Sequence, residues 1–217
     1  MGTSKERDFD ENRADYWNRA YRQWSGKIDQ GQIWLEAHGD ILIPPSHILD
    51  MGCGAGFTTE YLISRGHTVV ATDISETALT KLRSRVPMAE TSALDFTLGL
   101  PWKTEAFDHV VADLCLHYFD IDTTKRVVKE IVRVLKNGGY LLARVNSVRD
   151  TAHGSGDGTL VQPNYFLRDG HYKRFFDYES INDFFNPFEL VRINEGCTKS
   201  YRGEKHLYEI IARKRNP

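Results

Sequence analysis

Two hydrophobic periods run through the 217-residue chain. Near the amino terminus, Tyr16, Trp17, Ala20, Tyr21 and Trp24 recur at helical spacing, which predicts a helix over 10–24 that Ser25-Gly26 breaks. Ile33, Trp34, Ala37 and Ile41 predict a second short helix over 32–41, closed by Pro44-Pro45. From His47 the pattern becomes strands alternating with helices. Strands are predicted at His47–Met51, at Thr68–Thr72 ending on Asp73, at Met88–Ala93 reaching Asp95, at Phe107–Ala112 ending on Asp113, and at Tyr140–Val145. Helices are predicted between them at Phe57–Ser64, at Thr77–Arg85 with Ser75 as cap, and at Asp122–Leu135 stopped by Asn137-Gly138-Gly139. Such alternation predicts an α/β fold with a mostly parallel sheet covered on both faces. Beyond 146 the pattern weakens. A loop over 147–162 contains Gly154, Gly156 and Gly158; a hairpin is predicted around Asp169-Gly170, a helix at Tyr178–Phe185, and strands at Phe188–Asn194 and His206–Ala212.

Composition narrows the class. Length and a 41% hydrophobic content predict one domain, which the changes of pattern divide into residues 1–44, 45–146 and 147–217. The 28 basic and 30 acidic residues give a formal net charge of -2, from which no nucleic-acid partner is expected. Cys53, Cys115 and Cys197 are odd in number and form no C-x-x-C pair, so neither disulfides nor a structural zinc is expected. The polar segment 1–13 lacks a secretory core, and no apolar run reaches membrane length, so a cytoplasmic, non-membrane protein is the expectation.

The sharpest motif is Asp50-Met51-Gly52-Cys53-Gly54-Ala55-Gly56, which joins the first strand of the alternation to a helix through three alternating glycines. In open α/β sheets such a loop lies at the carboxyl end of the first strand, where nucleotide-like ligands bind. Asp73 follows Gly52 by 21 residues at the end of the next strand, placed to accept from ribose hydroxyls, with Ile74 beside it. Asp95 ends the third strand between Leu94 and Phe96, which can cover an adenine ring while the carboxylate accepts from its amine. A dinucleotide fingerprint starting at Gly52 needs Gly or Ala where the chain has Phe57. That favours S-adenosylmethionine over NAD, although an NAD-dependent oxidoreductase and a noncatalytic S-adenosylmethionine-binding regulator stand as rival readings.

Taken together, Ile48–Gly56, Val70–Asp73, Asp95, Phe107–Phe119 and Val134–Val145 resemble the class I S-adenosylmethionine-dependent methyltransferases over roughly residues 45–146. The carboxyl-terminal layout looks, more loosely, like the small methyltransferases related to the tellurite-resistance enzyme. The resemblance implies a Rossmann-like, doubly wound, seven-stranded sheet with one antiparallel strand, near His206–Ala212. It implies that the 52–56 loop approaches the methionine part, Asp73 the ribose and Asp95 the adenine. The segment from Asp113 and Leu114 to His117 then faces the reacting methyl.

The expected reaction is in-line methyl transfer to a small-molecule acceptor. Positioning supplies most of the rate, and His117 is the candidate general base. Tyr16, Trp17 and Tyr21 either fold over the cofactor or form a core stripe. Acceptor contacts are expected among His153, Tyr165, Arg168 and Arg202. No paired histidine spacing suggests a catalytic metal, and an Asp/Asn-Pro-Pro-aromatic run is missing after the fourth strand, where Asp113-Leu114-Cys115-Leu116 stands. Neither the oligomeric state nor the acceptor atom follows from the sequence.

Overall fold

The structure, a computed structural model, describes residues 13–24, 34–201 and 203–216; the side chains of residues 200 and 201 are left out of account. Its elements in chain order are α1 (Arg13–Gln23), β1 (His47–Met51), α2 (Phe57–Ser64), β2 (Thr68–Asp73), α3 (Glu76–Arg85), β3 (Glu90–Ala93), β4 (Phe107–Asp113), α4 (Ile121–Val134), β5 (Leu135–Asn146), β6 (Thr159–Gln162), β7 (Tyr165–Arg168), β8 (His171–Arg174), α5 (Tyr178–Phe184), β9 (Phe188–Tyr201) and β10 (Gly203–Lys214).

Seven strands form one sheet in the order β3-β2-β1-β4-β5-β10-β9. The first five pair in parallel, and β10 runs antiparallel to both of its neighbours. This is the Rossmann-like α/β sheet that the alternating pattern and the resemblance predict. Strands β1 and β4 are buried along most of their length because both faces are covered. Leu49, Met51, Val110 and Ala112 face a core completed by Val127, Val128 and Ile131 of α4, while Ile48, Val111, Leu142 and Ile211 face the opposite cluster with Leu62 of α2.

The helix starts follow local chemistry. Ser75 accepts from the Ala78 amide and Asp120 from the Thr123 amide, each satisfying a first-turn N–H. Three elements differ from expectation. The stretch around Trp34 is a 3-10 turn over Trp34–His38 in place of an α-helix. Strand β5 begins at Leu135, directly after α4, because Leu135 already pairs with Phe107. The expected 147–162 loop contains β6, which pairs with β7 beside the β7–β8 hairpin in a separate three-stranded sheet. That hairpin turns at Asp169 and Gly170, both with positive φ, as its Asp-Gly sequence dictates.

Helix α1 lies over the carboxyl edge of this core. None of its residues is fully buried, in contrast to the packed stripes of α3 and α4. Asn18 ties it down: its side-chain oxygen accepts from the Ser75 hydroxyl at 2.9 Å and from the Thr77 amide at 3.1 Å.

Candidate active site

A cavity of about 830 Å³ opens at the carboxyl ends of the parallel strands, between the sheet and α1. That size is within the range of small-ligand and cofactor sites. Strand β1 delivers Asp50 and then the glycine loop; Gly52, Cys53 and Gly54 line the cavity. Gly52 has φ 65°, and a Cβ there would lie 2.5 Å from the Cys115 Cβ. The loop can therefore pass the segment after β4 only without a side chain at this position. A Cβ on Gly54, at φ 55°, would strike the Tyr21 hydroxyl. Gly56 does not line the cavity. It sits at φ 86° just before α2 and against Leu82, so its missing side chain serves packing of α2 on α3.

Four carboxylates border this end. Asp50 is 1% exposed and accepts from the Thr59 hydroxyl at 2.6 Å. Burial pushes its carboxyl up to about 7, and the nearby Asp113 and Asp73 carboxylates add to the rise against the Thr59 hydrogen bond. Asp73 accepts from the Gly54 amide at 2.9 Å and the Ser75 amide at 2.8 Å, so one side chain clips the glycine loop to the start of α3. Burial raises its carboxyl, and these amides offset part of the rise. Two backbone bonds leave further lone pairs on Asp73 for a ligand hydroxyl. Asp95 caps the turn after β3 through the Thr97 amide and pairs with Arg13 of α1 at 3.0 Å. Asp113 is held in a bidentate pair by Arg144 of β5, at 2.7 and 2.8 Å. Ile74, Leu94 and Phe96 supply apolar wall, and Leu114, at φ 54°, turns the chain away from β4.

Four residues beyond Asp113 stands His117, 2% exposed, in the short turn after β4. Burial lowers its proton affinity well below the ordinary histidine value, and the charges of Lys205 and Lys173 lower it further. The imidazole is therefore neutral at pH 7. The Cys53 and Cys115 thiols are pushed up, chiefly by burial, and are protonated.

The structure separates the two readings of the aromatic helix residue by residue. Trp17, Tyr21 and Trp24 line the cavity. Tyr16 does not; its ring packs on Trp17 and, at 4.1 Å between centroids, on His171 of β8. On the acceptor side the expected residues lie elsewhere. His153 binds Asp150 at 2.7 Å and, with Arg168, borders a separate cavity of about 210 Å³. Arg168 pairs with Asp157, and Tyr165 is buried with its hydroxyl toward the Tyr118 carbonyl. Arg202 lies outside the described residues. In their place Lys173 of β8 and Lys205 of β10 reach the main cavity. Nothing in the sequence singles them out, because their strands are distant in the chain from the glycine loop. Three potential ligand atoms, from Cys197, Glu204 and His206, lie within 4.8 Å of one another on the β9–β10 hairpin, outside the cavity lining. No helix among the described residues is long and apolar enough to cross a membrane.

Residues 49–143 match the family model described as a methyltransferase domain. An uncharacterised methyltransferase of Synechocystis sp. is 35% identical over 96 residues, covering 44% of this chain and 45% of that protein. An 18S rRNA (guanine-N(7))-methyltransferase of Schizosaccharomyces pombe is 39% identical over 79 residues, covering 36% of this chain and 28% of the relative. The matches thus span less than half of these relatives. The crystal structure of an S-adenosylmethionine-dependent methyltransferase from Methanosarcina mazei superposes with TM-score 0.75 at 21% identity, covering 86% of this chain and all of that one. The rRNA-modifying relative overturns the expectation that nucleic acid is excluded as a partner. Net charge is a sum over the whole chain, and it says nothing about a local surface that could meet a phosphate backbone. Sheet order, glycine loop and matched segment agree: residues 49–143 match a methyltransferase domain, on a sheet similar to that of the class I S-adenosylmethionine-dependent methyltransferases.

Proposed function

We propose that this protein transfers a methyl group from S-adenosylmethionine to a small-molecule acceptor inside the 830 Å³ cavity. The observation that carries this reading is the convergence of Asp50, Asp73, Asp95 and Asp113 with a side-chain-free glycine loop at one end of a single cavity. The donor set fits the cofactor: carboxylates suit a cationic ligand bearing hydroxyls, and Leu94 with Phe96 suits a flat ring. When bound, S-adenosylmethionine supplies an electrophilic methyl on a cationic sulfur, and the C–S bonding pair stays on sulfur as the methyl leaves.

The residues of this chain do the rest. Asp50, ionising near 7, becomes a carboxylate when a cation enters beside it. Asp73 positions the glycine loop and offers its remaining lone pairs to the ribose. Trp17 and Tyr21, carried by a helix that Asn18 fastens, cover the cavity and exclude water. The neutral His117 can take a proton from an acceptor that arrives protonated. General bases of this kind contribute about 10²- to 10⁴-fold.

Calorimetric titration with S-adenosylmethionine, S-adenosylhomocysteine and NAD tests the cofactor reading; binding of NAD alone would sink it. Turnover across a metabolite panel, followed by S-adenosylhomocysteine release, tests the acceptor. Structured RNA belongs in the same panel because of the rRNA-modifying relative. Transfer to RNA alone replaces the small-molecule reading and leaves methyl transfer standing. Cofactor binding without turnover on any class would favour a regulatory S-adenosylmethionine-binding protein. The substitution His117→Ala should lower turnover on the accepted substrate by at least about 100-fold, with cofactor affinity unchanged.

A further inference from the structure

The end of the cavity around His117 carries two lysines that the proposed chemistry does not use. Lys205 comes from β10 and is only 6% exposed; Lys173 comes from β8 and is partly buried; both line the same cavity as His117. Burying an ammonium group is costly unless an anion compensates it. Among the described residues Asp150 is the carboxylate ion-paired with Lys205, and the Asp113 carboxylate also acts on Lys205. Asp150, fully buried, accepts from Lys205 at 3.1 Å, and it is also engaged by the His153 imidazole at 2.7 Å and the His206 amide at 3.2 Å. Lys173 donates only weakly, to the His153 carbonyl at 3.3 Å, and no ion pair among the described residues joins it to a carboxylate. The other charged pairs at this level are already satisfied: Asp113 is taken by Arg144, and Arg168 by Asp157. Among the described residues, Lys173, Lys205 and Arg144 stand here against Asp150 and Asp113, a surplus of one positive charge.

We infer that the acceptor is an anion, a small molecule whose carboxylate or phosphate binds between Lys173 and Lys205 and so presents its nucleophilic atom beside His117. This rests on the methyl-transfer reading above and adds the chemical class of its acceptor. Burial and the neighbouring Lys205 lower the proton affinity of Lys173, and a bound oxyanion would remove both penalties. The same oxyanion would screen the two lysines from His117, whose imidazole would then hold a proton more readily. Proton acceptance would thus depend on the acceptor's being in place.

The test uses full-length protein saturated with S-adenosylhomocysteine and a matched panel read by calorimetry: benzoate, phenyl phosphate and succinate against benzamide, benzyl alcohol and succinamide. The acids should bind at least about tenfold more tightly than their neutral partners, the margin of a charge-assisted hydrogen bond. Whether carboxylates or phosphates lead identifies the oxyanion. In Lys173→Gln, which removes a cation without stranding Asp150, the preference should fall below about threefold. Lys103→Gln, an exposed change outside the cavity, should keep it. Equal binding of acids and neutral partners, no binding by either, or a preference that survives Lys173→Gln overturns the inference. Failure to bind S-adenosylhomocysteine in the first place counts instead against the methyl-transfer reading.

Discussion

The acidic and basic groups that line the cavity differ in how the fold brings them together. One set gathers Asp50, Asp73, Asp95 and Asp113 from, or just beyond, the ends of four successive strands, each held by a short-range or neighbouring-strand partner. The other gathers His117, Lys173 and Lys205 from three elements that meet only once the sheet is complete. The acidic end is built from the repeat of strand and loop itself. The basic end is assembled by additions to that repeat.

The largest effect expected on this contrast comes from breaking the acidic end at its backbone. Gly52→Val places a β-branched residue at φ 65° against Cys115. Left-handed strain and overpacking together cost about 3 kcal/mol. The denaturant midpoint should fall accordingly, and S-adenosylhomocysteine affinity should drop by about 100-fold or more, with the acid preference of the basic end intact where the protein still folds.

Charge at the same end is tested by Asp50→Asn. The unfolded carboxyl ionises near 3.8 and the folded one near 7, so between those values the folded state keeps a proton that the unfolded state has released. Stability of the ligand-free protein should therefore fall as pH rises from about 4 through 7. Asp50→Asn should abolish that decline. Binding of S-adenosylmethionine runs the other way: affinity should rise as pH climbs toward 8, where a ready carboxylate meets the cation. Asp50→Asn should lose about tenfold at pH 8 and less below pH 7. Calorimetry from pH 6 to 8 reads both.

The smallest effect belongs to Arg13→Ala. Its pair with Asp95 is partly exposed, at 20% and 24% of the side chains, so water and salt screen it and the contribution is below about 1 kcal/mol. A two- to fivefold rise in the S-adenosylhomocysteine dissociation constant is expected. A loss as large as that from Asp50→Asn would mean that α1 holds the cofactor end more firmly than its half-buried face suggests.

The same contrast explains what the sequence could reveal. The acidic end was legible because each of its residues sits at the end of a strand that its own apolar pattern marks, so position followed from local period. Asp73 could be placed from its spacing to Gly52, yet nothing in that spacing shows its bonds to the Gly54 and Ser75 amides. Gly56 was grouped with the loop because alternation alone cannot tell ligand approach from helix packing against Leu82. The basic end was illegible for a stronger reason. Lys173 and Lys205 reach the cavity through the placement of β8 and β10, and no local period encodes where an inserted sheet lies on a core. His153, Tyr165 and Arg168 were drawn instead by residue type, and the fold engages them with Asp150, the Tyr118 carbonyl and Asp157.

The place of β10 in the sheet bears on how the molecule is made. It lies between β5 and β9, although both precede it in the chain. While the polypeptide emerges from the ribosome, β5 keeps a bare hydrogen-bonding edge and Leu142 lacks its partner Ile211 until residues 203–214 have been synthesised. An unpaired edge beside exposed apolar side chains invites association with other chains. The nascent protein therefore passes through a window in which its cofactor half is complete in sequence but still open on one side, and protection by a chaperone would matter most there.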